Sequence, residues 1–104
     1  MRTAELTGQA LDWAVAQAEG QDYWQPDIGP SEPDYSTRWD IGGPIIEREE
    51  MTVSCNWQRP YAIKLLPEEK RVVQGNGPTP LIAAMRCYVA YKLGEEVDVP
   101  EELK

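Results

Sequence analysis

The chain of 104 residues has no histidine, no phenylalanine and only two cysteines. Without histidine the commonest general base, the Ser-His and Cys-His nucleophile pairs and the most frequent metal ligand are all missing. Hydrolytic chemistry is left to carboxylates alone. Cys55 and Cys87 form no CxxC pair and have no histidine to join them, so no structural zinc site is expected, and each reads as a buried thiol in an apolar segment. Long apolar runs are absent as well. A bilayer-spanning helix needs about 20 such residues, and the opening MRTAELTGQ lacks the apolar centre of a secretory signal. No membrane partner is therefore expected, and the expected location is the cytoplasm. Positive charge is scarce: 10 Lys and Arg stand against 18 Asp and Glu, giving a net charge of −8 and a pI near 4.4. That balance opposes broad attraction to nucleic-acid phosphates, so a nucleic-acid polymer is not an expected partner.

What is present suits one small domain spanning residues 1–104. With 41% hydrophobic and 27% charged residues the composition is that of an ordinary globular chain, and a core this small is naturally supplemented by subunit association. The clearest element runs from Gly77 to Pro100. Thr79 offers an N-cap oxygen, Pro80 suits the first helical position and Gly94 ends the helix. Between them Leu81, Ile82, Met85, Tyr88, Val89 and Leu93 recur at spacings of three and four, predicting a helix with one apolar face. The alternating Val97 and Val99 beyond it predict a tail lying back on the body.

A first helix is predicted after Leu6-Thr7, over GQALDWAVAQAEG. Thr7 is its N-cap, Leu6 and Leu11 form a hydrophobic staple, and Gly20 is the stop. Trp13 lies beside a thin stripe of Leu11, Ala14, Val15 and Ala18, as a core anchor or a partner-facing residue. From Gln21 to Gly43 the density of proline and glycine, with Tyr23, Trp24, Tyr35 and Trp39, predicts a long aromatic loop with one short edge strand near Tyr23. A short helix then begins with Pro44 at its first position. MTVSCNW, YAIKLL and Arg71 to Gln74 read as three strands separated by turns at Arg59-Pro60 and PEEK. The expected fold is α+β: two main helices packed on one face of a small three- to four-stranded antiparallel sheet.

Three runs carry a family resemblance: LTGQALDWAVAQAEG, WDIGGPIIERE and GPTPLIAAMRCYVAYKLGEEVDVPEEL. Their order and wording resemble the NinX-like family of small phage and prophage proteins, whose function is not established. The resemblance covers nearly the whole chain and departs from the family's pattern chiefly between Gln21 and Pro33 and between Asn56 and Val73. It implies a phage origin and the cytoplasm of an infected bacterium, and it carries no catalytic residues across.

For function, the aromatic composition is the sharpest feature: four Trp and five Tyr with no Phe. Such rings suit half-buried sites where a planar group stacks, or they roof a small core. In the ligand reading Trp24, Tyr35 and Trp39 surround a base-like ring, with Arg38 or Arg48 holding phosphates and Arg86 as a further guanidinium. Gly42-Gly43-Pro44 and Gly75-Asn76-Gly77-Pro78 precede expected helix starts, where N–H groups receive anions, although neither has the spacing or lysine of a P-loop. The leading expectation is a non-enzymatic phage accessory protein, directed against host defence, that sequesters a small nucleotide-like ligand without a cofactor or metal. Its pocket is expected to be completed in a homo-oligomer through Ala83, Ala84 and Ala90, or Ala14 and Ala18. Two alternatives stand beside it: an acidic modulator of a host protein, and a metal-dependent nucleotide hydrolase acting through carboxylate pairs such as Glu47 with Glu49 or Glu50, Glu68 with Glu69, and Glu95 with Glu96.

Overall fold

The computed structural model describes residues 2–19, 24–25, 29–30, 35–54 and 60–99. Helix α1 spans Gly8–Glu19, and Trp24–Gln25 (β1) pairs antiparallel with Gly29–Pro30 (β2) in a separate short ladder. Helix α2, Trp39–Arg48, precedes the three-stranded antiparallel sheet of β3 (Thr52–Ser54), β4 (Tyr61–Leu66) and β5 (Arg71–Asn76), in spatial order β3-β4-β5. Helix α3, Pro80–Leu93, is the last helix among the described residues. The fold is therefore the expected α+β, with two main helices, the shorter α2 and a three-stranded antiparallel sheet among the described residues.

The terminal helix is built as its sequence implies and packed more completely. Thr79 Oγ1 accepts the Ile82 N–H at 3.1 Å, and Gly94, at φ 94°, donates its N–H to Ala90 O at 3.1 Å. Its burial is not confined to one stripe. Ala83, Ala84 and Cys87 are as buried as Met85, Tyr88 and Val89, whereas Leu93, placed on the apolar face by its spacing, is 38% exposed. The reason is position: α3 packs on β4 and β5 and also receives α1 and α2, and a helix covered on several sides is apolar all round. Ala83, Ala84 and Ala14 are fully buried within the single chain, so they are not available to pack across a subunit boundary.

Two glycines permit this closeness. A Cβ on Gly75 would lie 2.4 Å from both Ala83 O and Cys87 N, so α3 rests directly on the backbone of β5. A Cβ on Gly42 would lie 2.5 Å from Tyr35 O and 2.9 Å from a Leu81 methyl. That second contact explains the main departure from expectation. Helix α2 begins at Trp39, five residues before Pro44, and carries Gly42, Gly43 and Pro44 in its interior. Helix propensity alone disfavours this by several kcal/mol, about 1 for each glycine and about 3 for the proline, but packing against Tyr35 and α3 decides.

The remaining elements follow their patterns. Leu6 and Leu11 are both fully buried, and Thr7 O accepts the Leu11 N–H at 3.3 Å. Trp13 is half-buried against the core, and Val97 and Val99 of the tail are buried. Strand β5 runs two residues past Gln74 to Asn76. The expected residues Cys55, Asn56 and Trp57 of the first strand, the stop at Gly20 and Tyr23 lie outside the described residues. Among the described residues no helix is long and apolar enough to cross a membrane.

Candidate functional site

Of the residues expected to form one aromatic, arginine-lined pocket, Arg38, Trp39 and Arg48 lie along α2 and Tyr35 packs against it, while Arg86 lies on α3 and lines a separate cleft. Trp24 sits in β1, and its side chain lies outside the described residues. Tyr35 is 4% exposed and belongs to the core, because its backbone is pressed against Gly42. Trp39, the first residue of α2, is 53% exposed. Arg38 is exposed and forks onto its own neighbour, donating from Nε and Nη2 to the Asp40 carboxylate at 3.2 and 2.8 Å. Gly42-Gly43-Pro44 is helix interior rather than helix entry, and Gly75 is occupied ground beneath α3. The first run therefore does not stand at a helix start, whereas the second leads into α3, where the Thr79 hydroxyl already takes the Ile82 N–H.

Arg48 belongs to a cluster that joins the three helices to the sheet. Its guanidinium donates from Nη1 and Nη2 to the Glu19 carboxylate at 3.0 and 2.6 Å, from Nε to Glu49 at 3.0 Å, and from Nη2 to Tyr88 Oη at 3.0 Å. The Tyr88 hydroxyl in turn donates to Glu19 at 2.5 Å. Lys64 of β4 donates to Glu49 O at 2.8 Å and lies 4.8 Å over the Tyr91 ring. The hydrogen bonds from Arg48 hold Glu19 below the usual carboxylate range, against the upward push of burial. Burial likewise pushes Glu49 up, but the Arg48 hydrogen bond and the Lys64 charge outweigh it and its pKa is lowered. Arg48 itself is raised, first by Glu19 and then by Glu49. Burial and the nearby Glu19 raise both Tyr88 and Tyr35. Every charge in this cluster has an opposite charge in contact, the arrangement of a structural clamp.

Arg86 differs in every respect. It is 9% exposed, although it carries a charge that burial penalises heavily unless paired. Its Nε donates to Leu6 O at 2.8 Å and its Nη1 to Asn76 O at 2.8 Å. Both acceptors are neutral carbonyls, and no carboxylate pairs with Arg86 among the described residues. Burial accordingly lowers its pKa. The side chain lines a cleft of about 340 Å³ formed by the N-terminal turn, the edge strand β5 and the C-terminal half of α3. Arg2, Arg71 and Glu95 line it too. The turn is held in place by Thr3, whose N–H donates to Glu95 O at 2.8 Å and whose hydroxyl donates to Gly94 O at 2.6 Å. Arg71 reaches Glu69 only at 3.7 Å, with both side chains mostly exposed.

Of the five expected site residues whose side chains are described, the cleft contains Arg86 alone. Arg2 and Arg71 were not legible as partners, since nothing local in the sequence joins the N-terminus to a hairpin and a distant helix. The one available signal was an arginine inside the apolar stretch LIAAMRCYVA. The buried Cys87 thiol beside it donates to Val73 O at 3.4 Å and is pushed up to about 11 by burial, so it is protonated and unreactive at neutral pH. Among the described residues no group of three or more Cys, Asp or Glu is placed to hold a metal ion.

A family model described as bacteriophage P22 NinX matches residues 2–92. No curated protein matches the chain.

Proposed function

The chain belongs to the bacteriophage P22 NinX family, and from that premise we propose that it is a phage accessory protein that binds a small nucleotide-like anion without transforming it. The supporting observation is Arg86, a buried guanidinium with no carboxylate at ion-pair distance among the described residues, lining a cleft it shares with Arg2, Arg71 and Glu95. A buried cation held only by carbonyls is costly to the free protein, and an arriving phosphate both recovers that cost and receives forked hydrogen bonds. A volume of about 340 Å³ falls at the lower end of small-molecule sites, which suits a mononucleotide rather than a polymer. Catalysis is not needed for this task. Sequestration of a host signal in the infected cell requires affinity and abundance, which fits an acidic chain without histidine.

Titration calorimetry with linear and cyclic adenine nucleotides tests this reading. Saturable binding is expected, with the nucleotide recovered unchanged and Arg86→Lys weakening it about tenfold or more. No binding by any member of the panel up to about 1 mM would reject it.

One observation supports the second reading, a modulator of a host protein. Leu65 and Val72 face each other across β4 and β5 and are 61% and 57% exposed, and Trp39 is exposed on α2. If a stoichiometric host partner is captured and lost with Leu65→Ser, while nucleotides fail to bind, this reading replaces the first.

A further inference from the structure

The cleft is built to receive charge and poorly built to receive a base. Among the described lining residues three guanidinium groups, Arg2, Arg71 and Arg86, stand with one carboxylate, Glu95, and Arg71 also reaches Glu69 at 3.7 Å on the exposed rim. An arginine offers five N–H donors in a rigid fork. Arg86 uses Nε and one Nη1 hydrogen on Leu6 O and Asn76 O, and its other N–H groups have no partner among the described residues. The two carbonyl bonds also fix the plane of the fork, so those remaining donors are presented in a set direction with little rotamer freedom left to lose. Arg2 and Arg71 add charge from the rim, on the N-terminal turn and on β5.

No aromatic side chain lines the cleft among the described residues. Base stacking on a protein ring contributes about 1–3 kcal/mol per base, and the apolar side chains present, such as Ala4 and Ala90, offer no face for it. Main-chain reading of base edges is limited as well. The β5 carbonyls turned toward α3 are occupied, Val73 O by the Cys87 thiol and Asn76 O by Arg86.

Resting on the anion-binding reading above, we infer that the ligand class is a phosphomonoester, recognised through its terminal dianionic phosphoryl group with little discrimination between bases. A monoester carries about −1.5 to −2 at pH 7 and offers three terminal oxygens to a lining richer in guanidinium than in carboxylate, whereas a cyclic or diester phosphate carries one negative charge and presents fewer terminal oxygens to the fork. The rim position of Arg71 makes it a tunable contributor: its side chain is 58% exposed, and its replacement leaves the core intact.

The test is calorimetric titration of the full chain with AMP, GMP, ribose 5-phosphate and 3′,5′-cyclic AMP at fixed ionic strength, repeated with Arg71→Gln. AMP, GMP and ribose 5-phosphate are expected to bind within about threefold of one another. Cyclic AMP is expected to bind at least about tenfold more weakly, and Arg71→Gln to weaken the three monoesters more than the cyclic compound. Equal affinity for AMP and cyclic AMP, or a preference of more than about tenfold between AMP and GMP, overturns the inference while leaving anion binding in place. If none of the four binds below about 1 mM, the anion-binding reading and the inference fall together.

Discussion

Two arginines of this chain occupy opposite electrostatic situations. Arg48, half exposed, contacts two carboxylates and a phenol and closes a network tying α1, α2, α3 and, through Lys64, β4. Arg86, almost wholly buried, donates to two carbonyl oxygens and to no carboxylate among the described residues. A protein that needed Arg86 solely for packing would be served as well by an apolar side chain, since replacing a buried charge with a well-packed hydrophobe is often neutral or stabilising. The paired arginine is explained by the fold that contains it. The other has no carboxylate partner among the described residues, and on the proposed reading the cleft beside it is where an anion is received.

The comparison breaks most severely at the floor of the cleft. Gly75→Val places side-chain atoms where α3 rests on β5, so the helix must lift, and a loss of about 3 kcal/mol is expected in urea unfolding. A finding of unchanged stability would mean that α3 does not sit on that strand. Next come the paired substitutions Arg86→Met and Arg48→Met. The first is expected to reduce AMP affinity about a hundredfold while stability shifts by no more than about 1 kcal/mol, because removal of the buried charge offsets the two carbonyls left without a donor. The second is expected to cost about 1–2 kcal/mol in stability, discounted for the exposure of Arg48, with AMP affinity unchanged. If the two variants behave alike, the distinction between clamp and cleft fails.

Acid titration probes the clamp alone. Glu19 and Glu49 have folded pKa values below the ordinary 4.5, so the unfolded chain binds protons first as pH falls. Their contribution is complete above about pH 4.5 and is lost as pH drops through the lowered folded values. Stability followed from pH 7 to pH 3 should fall on that limb, and Glu19→Gln should start less stable and flatten it. An unaltered limb in that variant removes Glu19 from the clamp's centre. The smallest effect is expected at Arg38, whose exposed pair with Asp40 is local. Arg38→Ala should change stability by no more than about 0.5 kcal/mol and leave AMP affinity unchanged, and a large loss of affinity would return the site to the aromatic segment.

Elements written in local chemistry were legible. The cap, first-turn proline and terminal glycine of α3, the alternation of β4 and the buried valines of the tail each depend on neighbours within a few residues. Helix α2 was not, because Gly42-Gly43-Pro44 reads locally as a turn and becomes helix interior only against Tyr35 and Leu81. The placement of the expected site residues was not legible for a related reason. Tyrosine and tryptophan suit both pockets and core margins, and composition cannot say which; Tyr35 went to the core and Trp39 to solvent.

By itself the sequence determined an acidic α+β domain of a phage family, without histidine chemistry, ending in a well-capped helix, since charge, composition and capping are properties of residues and their near neighbours. Only the tertiary structure decided which arginine has a partner. Pairing depends on distances between segments far apart in the chain: Glu19 was brought to Arg48, while Leu6, Asn76, Arg2 and Arg71 were brought to Arg86, and no local pattern encodes either meeting.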